Sequence, residues 1–298
     1  MKTSIDYTQN ITFYPDKVVC VSEFIHPTSN NQKKKDVMLE NRSTVYNGFM
    51  SPATKRRVTK IITVWMEALE FSTPYTSRSE GAKKHYPVFV TLTLSGEQKH
   101  DDNFIKRNLL GRFIIELRRN HGVVQYFWRA EKQKNGRIHF HCIFDQYIDM
   151  KVLQSTWNRI QDAYGYLDEY KKKFSRYNAP STHVERINSS EKAIDYVVKY
   201  VSKNPKEMEE KGLKIQGRIW GCSDGLRDLR PYTIAEHSNL IELLNEMHKN
   251  NMAERFADDF FTIYKLNVSD LLEMYFPELK ENQYLYYADV FNQLYNPA

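Results

Sequence analysis

The stretch VVQYFWRAEKQKNGRIHFHCIFD, residues 123–145, decides the fold of its part of the chain. In its second half apolar residues alternate with two histidines, so His139 and His141 share one face of a predicted strand. The first half also alternates, with Glu131 and Ala130 on opposite faces. Asn135-Gly136 between the halves is a strong turn signal. The stretch therefore predicts a β-hairpin with one apolar face and one face that carries titratable groups.

The register of this hairpin follows from keeping its apolar faces together, because a slip of one residue reverses every side chain. A two-residue turn would set Glu131 opposite Phe140 and mix the faces. A three-residue loop, residues 134–136 with the glycine left-handed, sets Glu131 opposite His139 and sorts both faces. We therefore expect Glu131, His139 and His141 to meet and to bind a divalent metal, Mn²⁺ or Mg²⁺, although Zn²⁺ would also bind. Two histidines on a solvated face are the alternative interpretation.

The flanking sequence predicts the elements that surround the hairpin. Apolar alternation indicates strands, and apolar spacing of three and four indicates helices. The predicted strands are residues 88–95, 123–131, 137–145 and 182–187, and the predicted helices are residues 51–71, 103–120, 150–163 and 190–203. From residue 88 the order is β-α-β-β-α-β-α, which predicts an α+β fold: an antiparallel sheet with helices packed on one face.

Composition divides the chain into three predicted regions. Residues 1–50 show no clear periodicity and are expected to be irregular. Residues 51–233 hold the predicted sheet and begin with a basic helix. Residues 234–298 are predicted to be a helical C-terminal extension, and residues 235–298 hold four Lys and Arg against eleven Asp and Glu. Because this acidic segment is a poor surface for phosphates, we expect it to cover the core or to dock a partner protein.

The whole chain is basic and aromatic, with a net charge of +6, 20 Tyr, 16 Phe and 4 Trp. Cations can follow a phosphate backbone while rings stack on bases, which suits single-stranded nucleic acid. An ordinary soluble basic protein would have a similar composition. The three cysteines fit neither a disulfide framework nor a CxxC metal site, and no apolar run is long enough to span a bilayer. We therefore expect an intracellular protein.

The predicted helix of residues 190–203 carries two tyrosines away from its apolar side. Tyr196 and Tyr200 are one turn apart, and Lys203 lies one turn beyond Tyr200. A tyrosine hydroxyl is a weak nucleophile, and a nearby Lys⁺ and a metal that polarises a phosphate would both help it to attack. Lys203 is the candidate beside Tyr200, and Lys199 stands in the same relation to Tyr196. Packing of both rings against another element is the alternative.

These patterns together resemble the HUH endonuclease superfamily, in particular the replication initiators of small circular single-stranded DNA phages and of related rolling-circle plasmids. The resemblance covers roughly residues 86–204. Residues 89–94 are similar to the first motif, a core strand. His139-Phe140-His141 is similar to the histidine-hydrophobe-histidine motif, and residues 196–203 are similar to the two-tyrosine motif Y-x-x-x-Y-x-x-K. The later GRIWGCS, residues 217–223, also resembles these initiators, without an assigned role.

The resemblance implies a ferredoxin-like nuclease fold and a metal-dependent enzyme. Such an enzyme nicks and joins single-stranded DNA at an origin through a 5′-phosphotyrosine and frees a 3′-hydroxyl for priming. The metal ligands carry over to His139 and His141, and Arg129, Arg137 and Lys199 are expected to contact DNA. The chain has no G-x-x-x-x-G-K-[ST] loop, so a host helicase and DNA polymerase are the expected partners, in the cytoplasm of a bacterial host. The alternatives are an HUH transposase or relaxase and a non-catalytic nucleic-acid-binding module.

Overall fold

The computed structural model describes residues 7–24, 50–71, 87–187, 214–258 and 261–296, and these form two compact units. The first, called the central unit here, comprises residues 50–71, 87–187, 214–229 and 290–296. The second unit comprises residues 7–24, 230–258 and 261–289. None of the helices in these ranges combines the length and the apolar character that crossing a bilayer requires.

The central unit is built on a five-stranded antiparallel sheet in the order β6-β3-β5-β4-β7. Its strands are β3 Val88–Thr93, β4 Tyr126–Lys132, β5 Ile138–Phe144, β6 Thr182–Arg186 and β7 Trp220–Cys222. Strand β5 lies at the centre of the sheet and pairs with β3 on one side and with β4 on the other. The strand that carries both histidines is therefore paired along both of its edges.

The helices of the central unit begin at side chains that accept hydrogen bonds from free backbone N–H groups. They are α1 Pro52–Phe71, α2 Asp102–Ile105, a π-helical turn Lys106–Leu110, α3 Gly111–His121, α4 Met150–Asp162 and α5 Asp168–Phe174. Ser51 Oγ accepts from Thr54 N at 3.1 Å, Asp101 caps α2 and Asp149 caps α4. Such caps satisfy donors that the first helical turn leaves unpaired, and so they fix where each helix starts.

Aromatic side chains join the helices α3 and α4 to one face of the sheet. Phe113 on α3 packs edge to face against Phe144, and Trp157 on α4 packs in the same way against Phe140. The indole N–H of Trp157 also donates to the Thr93 carbonyl at 2.8 Å. Because Phe140 and Phe144 point to this face, the alternation of β5 places both histidines on the other one.

The α+β fold predicted from the sequence is confirmed, and its strands fall where the alternation placed them. Strand β7 and helix α5 were missed, because β7 has three residues and α5 only seven. The helix predicted for residues 190–203 lies outside the described residues. The domain boundaries after residues 50 and 233 stay a prediction.

The second unit corrects two interpretations of the sequence. It contains a five-stranded antiparallel sheet, β8-β1-β2-β10-β9, made of β1 Tyr7–Tyr14, β2 Lys17–Phe24, β8 Thr233–Ala235, β9 Glu254–Ala257 and β10 Phe261–Lys265. The expectation that residues 1–50 are irregular is wrong for residues 7–24, which form a hairpin whose partners β8 and β10 are distant in sequence. The expectation that residues 234–298 are helical is wrong at β9 and β10, although helices α6 Ser238–Lys249, α7 Val268–Tyr275 and α8 Pro277–Tyr295 make up most of that segment.

Candidate metal centre

The hairpin of β4 and β5 has the register that its sequence predicts. Glu131 pairs directly with His139, and the backbone N–H of Gln133 donates to the carbonyl of Arg137 across the loop at 2.8 Å. Gly136 has a φ of 80°, the left-handed conformation that the three-residue loop requires. The turn therefore brings the carboxylate of one strand onto the same face as the imidazoles of the other.

Both imidazoles direct their Nε2 atoms at one carboxylate oxygen. Glu131 Oε2 lies 3.1 Å from His141 Nε2 and 3.5 Å from His139 Nε2. One ligand atom from each of the three side chains lies within 4.8 Å of the other two. Glu131 is 2% exposed and His141 is 6% exposed, so the two are screened from solvent. The solvated-face alternative for the histidines does not apply to this arrangement.

Thr91 on β3 supports the centre from the other side of β5. It pairs with His141 in the sheet, and its Oγ1 lies 3.3 Å from His141 Nδ1. Burial lowers the pKa of His141 to about 4, against the opposing effect of its hydrogen bond with Glu131, so the imidazole is neutral near pH 7. With its proton on Nδ1, His141 donates to Thr91 and turns an Nε2 lone pair towards the Glu131 carboxylate. Two lone pairs facing each other across 3.1 Å fit a cation between them.

The donor set therefore fits a divalent metal. Two neutral imidazole nitrogens and one carboxylate oxygen suit Mn²⁺ and accept Mg²⁺, and they leave coordination positions for other oxygen ligands. Among the described residues, Glu131, His139 and His141 form the one such group of histidine, cysteine and carboxylate side chains. The role of Thr91 was not found from the sequence, which showed only that it lies on the polar face of its strand.

A second cluster holds the hairpin in place from the face opposite the histidines. Lys132 Nζ lies 2.6 Å from Asp102 Oδ1, and Gln98 Nε2 donates to the same oxygen at 2.8 Å. Gln98 Oε1 accepts from the backbone N–H of Ile138 at 2.8 Å, and Asp102 Oδ2 accepts from that of Gln216 at 3.0 Å. Burial alone would raise the pKa of Asp102, but these hydrogen bonds outweigh it and hold that pKa below its usual range. The network fixes the strand residues next to Glu131 and His139.

The segment GRIWGCS, which had no assigned role, supplies the outer strand beside β4. Gly217 has a φ of 66°, and a Cβ there would lie 2.4 Å from Asn103 Oδ1. Gly221 pairs with Trp128, and a Cβ on it would lie 2.8 Å from the indole Nε1. The two glycines therefore let this segment turn and lie flat against the edge of β4.

The predicted DNA-contacting and nucleophilic residues differ in what the structure describes. Arg129 pairs with His141 and lies on the same face as Glu131. Arg137 instead donates from Nη1 to the carbonyls of Gly96, at 3.0 Å, and Leu94, at 3.5 Å, and so ties the hairpin to the end of β3. The remaining candidates lie outside the described residues: Tyr196, Lys199, Tyr200 and Lys203.

The comparison with protein families agrees with this geometry. Residues 87–205 match the family of the replication-associated protein ORF2, and this range includes strands β3 to β6 and the whole Glu131–His139–His141 centre. No curated protein and no solved structure matches the chain significantly. The resemblance inferred from the motifs is confirmed: this segment of the chain belongs to the ORF2 family of replication-associated proteins, consistent with a rolling-circle replication initiator of the HUH type.

Proposed function

We propose that the protein initiates replication by nicking and rejoining single-stranded DNA at an origin, with a tyrosine as the nucleophile. The observation that carries the proposal is the convergence of two imidazole nitrogens on one carboxylate oxygen, at 3.1 and 3.5 Å, inside a segment of the replication-associated family. A binding module without catalysis needs no such set of ligands.

Glu131, His139 and His141 would hold the metal, either Mn²⁺ or Mg²⁺. When bound, it would neutralise negative charge on the phosphodiester and so favour attack by a weak nucleophile. The protein contributes the position of the ligands. Thr91 orients His141, and the Asp102–Lys132 contact fixes the hairpin from the other face. Both supports limit the motion of the ligand atoms, which a preorganised centre requires.

Tyr196 and Tyr200 are the proposed nucleophiles. The phenol oxygen forms a bond to phosphorus while the bond from phosphorus to the 3′ oxygen breaks. The phenol gives up its proton, and the departing 3′ oxygen gains one as a free hydroxyl, so a 5′-phosphotyrosine forms without a net change in charge. Lys203 and Lys199 would lower the pKa of the attacking hydroxyl. Rejoining is the reverse reaction, with a 3′-hydroxyl as the nucleophile.

Two tyrosines suit a replication cycle that cuts twice. One stays bound to the old 5′ end while the regenerated origin is cut by the other, and a spacing of one helical turn keeps both near the same phosphate. The partners in this proposal are a single-stranded DNA origin, a host helicase and a host DNA polymerase. The place of action would be the cytoplasm of a bacterial host of a phage or plasmid.

The proposal is tested with a random pool of single-stranded oligonucleotides labelled at the 3′ end and incubated with the full chain and Mn²⁺. A labelled protein band that survives denaturation is the expected result, and sequencing the trapped DNA gives the origin. The variant His139→Ala/His141→Ala should form no band, whereas the control His121→Ala, altered at the end of α3, should behave as wild type. Reversible binding without any adduct would show a binding module instead.

The division of labour between the tyrosines is tested in the same assay. Tyr196→Phe and Tyr200→Phe should each still form an adduct, which peptide mass analysis places on the remaining tyrosine. The double variant should form none. If Tyr200→Phe alone abolishes the adduct while Tyr196→Phe has no effect, only Tyr200 is a nucleophile and alternation is wrong.

A further inference from the structure

Arg129 lies in the middle of the face that carries the candidate metal centre. It stands directly opposite His141 on β5 and opposite Trp220 on β7, and Glu131 is two residues further along the same strand. Directly opposed side chains of an antiparallel pair are close neighbours, and residues two apart on a strand share a face. The guanidinium group is therefore next to the metal ligands rather than at the rim of the sheet.

The guanidinium group is buried and incompletely paired. Its Nε and Nη1 atoms are inaccessible to solvent, and within the part of the chain that the structure describes they have no hydrogen-bond partner. Burial lowers the pKa of Arg129, partly offset by the Glu131 carboxylate, but an arginine stays protonated in a protein. A buried cation without hydrogen-bond partners is costly, so natural proteins pair such groups with an anion.

The basic side chains nearby differ from Arg129 in this respect. Lys132, the third residue along, is buried against the Asp102 carboxylate, and Arg137 donates to two backbone carbonyls. The one carboxylate close to Arg129 among the described residues is Glu131, whose Oε2 already faces both histidines. A divalent metal on that carboxylate would leave the centre positively charged, and Arg129 adds to this charge. Only an anion from outside can complete it.

We propose that Arg129 binds a non-bridging oxygen of the phosphodiester that is cut at the Glu131–His139–His141 centre. This inference rests on the proposed function and adds to it a residue that touches the reacting group. A guanidinium presents planar, paired donors that match phosphate oxygens, and charge on those oxygens changes as the tyrosine oxygen attacks. Donors positioned at the reacting phosphoryl group stabilise its transition state by electrostatics. Arg129 is thus a catalytic residue, not only a general contact to DNA.

The test compares Arg129→Met with Lys132→Met in the full chain. Replacing an unpaired buried cation by an apolar side chain should leave the melting temperature equal to that of wild type or raise it, whereas Lys132→Met should lower it by leaving the Asp102 carboxylate without its cation. Mn²⁺ affinity of Arg129→Met should be unchanged or higher, because a repelling charge is removed. Adduct formation should slow by about 100-fold or more, the loss typical of one transition-state donor. Arg129→Lys, which keeps the charge without the paired donors, should fall between wild type and Arg129→Met.

Binding provides a readout that does not depend on cleavage. With a fluorescent single-stranded oligonucleotide, the salt dependence of the affinity should become shallower in Arg129→Met by about 0.7, the value for one phosphate contact. If wild type forms no adduct, the proposed function fails, yet a shallower slope would still support phosphate binding by Arg129. An unchanged slope with an unchanged adduct rate would overturn the inference. So would a fall in melting temperature that matches Lys132→Met, because it would show a structural role.

Discussion

The last residues of helix α8 should decide whether the central unit folds. Leu294 is 5% exposed, and its carbonyl accepts a hydrogen bond from Gln125 Nε2 at 3.0 Å. The Tyr295 hydroxyl accepts from the indole N–H of Trp65 at 2.9 Å and hydrogen-bonds to the buried Asp145. The acidic C-terminal segment thus ends in a short stretch that packs within the central unit. We therefore expect residues 290–298 to be required for its stability.

The magnitude follows from these contacts. Leu294→Ala removes a buried side chain and should lower the free energy of unfolding by about 2–5 kcal/mol. Tyr295→Phe leaves the indole N–H of Trp65 without its acceptor and should cost about 1–3 kcal/mol. Deletion of residues 290–298 removes both sets of contacts together with the buried Val290. The combined loss approaches the total stability of a domain, about 5–15 kcal/mol, so the deletion should leave the central unit unfolded or insoluble.

The assay is urea unfolding followed by tryptophan fluorescence, to which Trp65 at the contact contributes. Leu285→Ala is the matched control, because this leucine lies on the same helix but is 57% exposed, and it should change the free energy of unfolding by at most about 0.5 kcal/mol. If the deletion variant unfolds at the wild-type urea midpoint with an unchanged slope, the reasoning is refuted, and the segment would serve only to dock a partner.

Three further predictions concern residues around the hairpin. Gly221→Ala should lower the free energy of unfolding by about 1–3 kcal/mol, because the added Cβ would lie 2.8 Å from the rigid indole of Trp128; a melting temperature equal to that of wild type would contradict this. Burial raises the pKa of Asp145 to about 6, above its unfolded value, so its ionised form opposes folding, and wild type should gain about 2–3 kcal/mol of stability as the pH falls from 7 to 4. Denaturant titrations of wild type and Asp145→Asn should show that the variant's relative stability increases as the pH rises through 6; a difference that does not vary with pH would refute the assignment. Glu131→Gln keeps the shape of the side chain but removes the anionic ligand, so Mn²⁺ affinity measured by calorimetry should fall by at least about 10-fold, whereas an unchanged dissociation constant would remove Glu131 from the centre.

The sequence by itself determined the core of the candidate centre. Alternation in residues 123–145 and a glycine in the loop allow one register that sorts both faces, and that register sets Glu131 opposite His139. These interactions are local, because the two strands are joined by a short turn and the period of two assigns every side chain to a face. For the same reason the sequence predicted β3, β6 and helices α1, α3 and α4 near their observed positions.

Only the tertiary structure decided what surrounds that centre. Thr91 supports His141 because β3 lies next to β5, and Lys132 is paired because Asp102, thirty residues away, folds against it. The hairpin of residues 7–24 joins a sheet with strands more than two hundred residues later, which no local period can reveal. The burial of Arg129 without a hydrogen-bond partner for two of its nitrogens, among the described residues, likewise depends on neighbours from β5 and β7. Alternation assigns a side chain to a face, whereas burial and pairing depend on which distant segments cover that face.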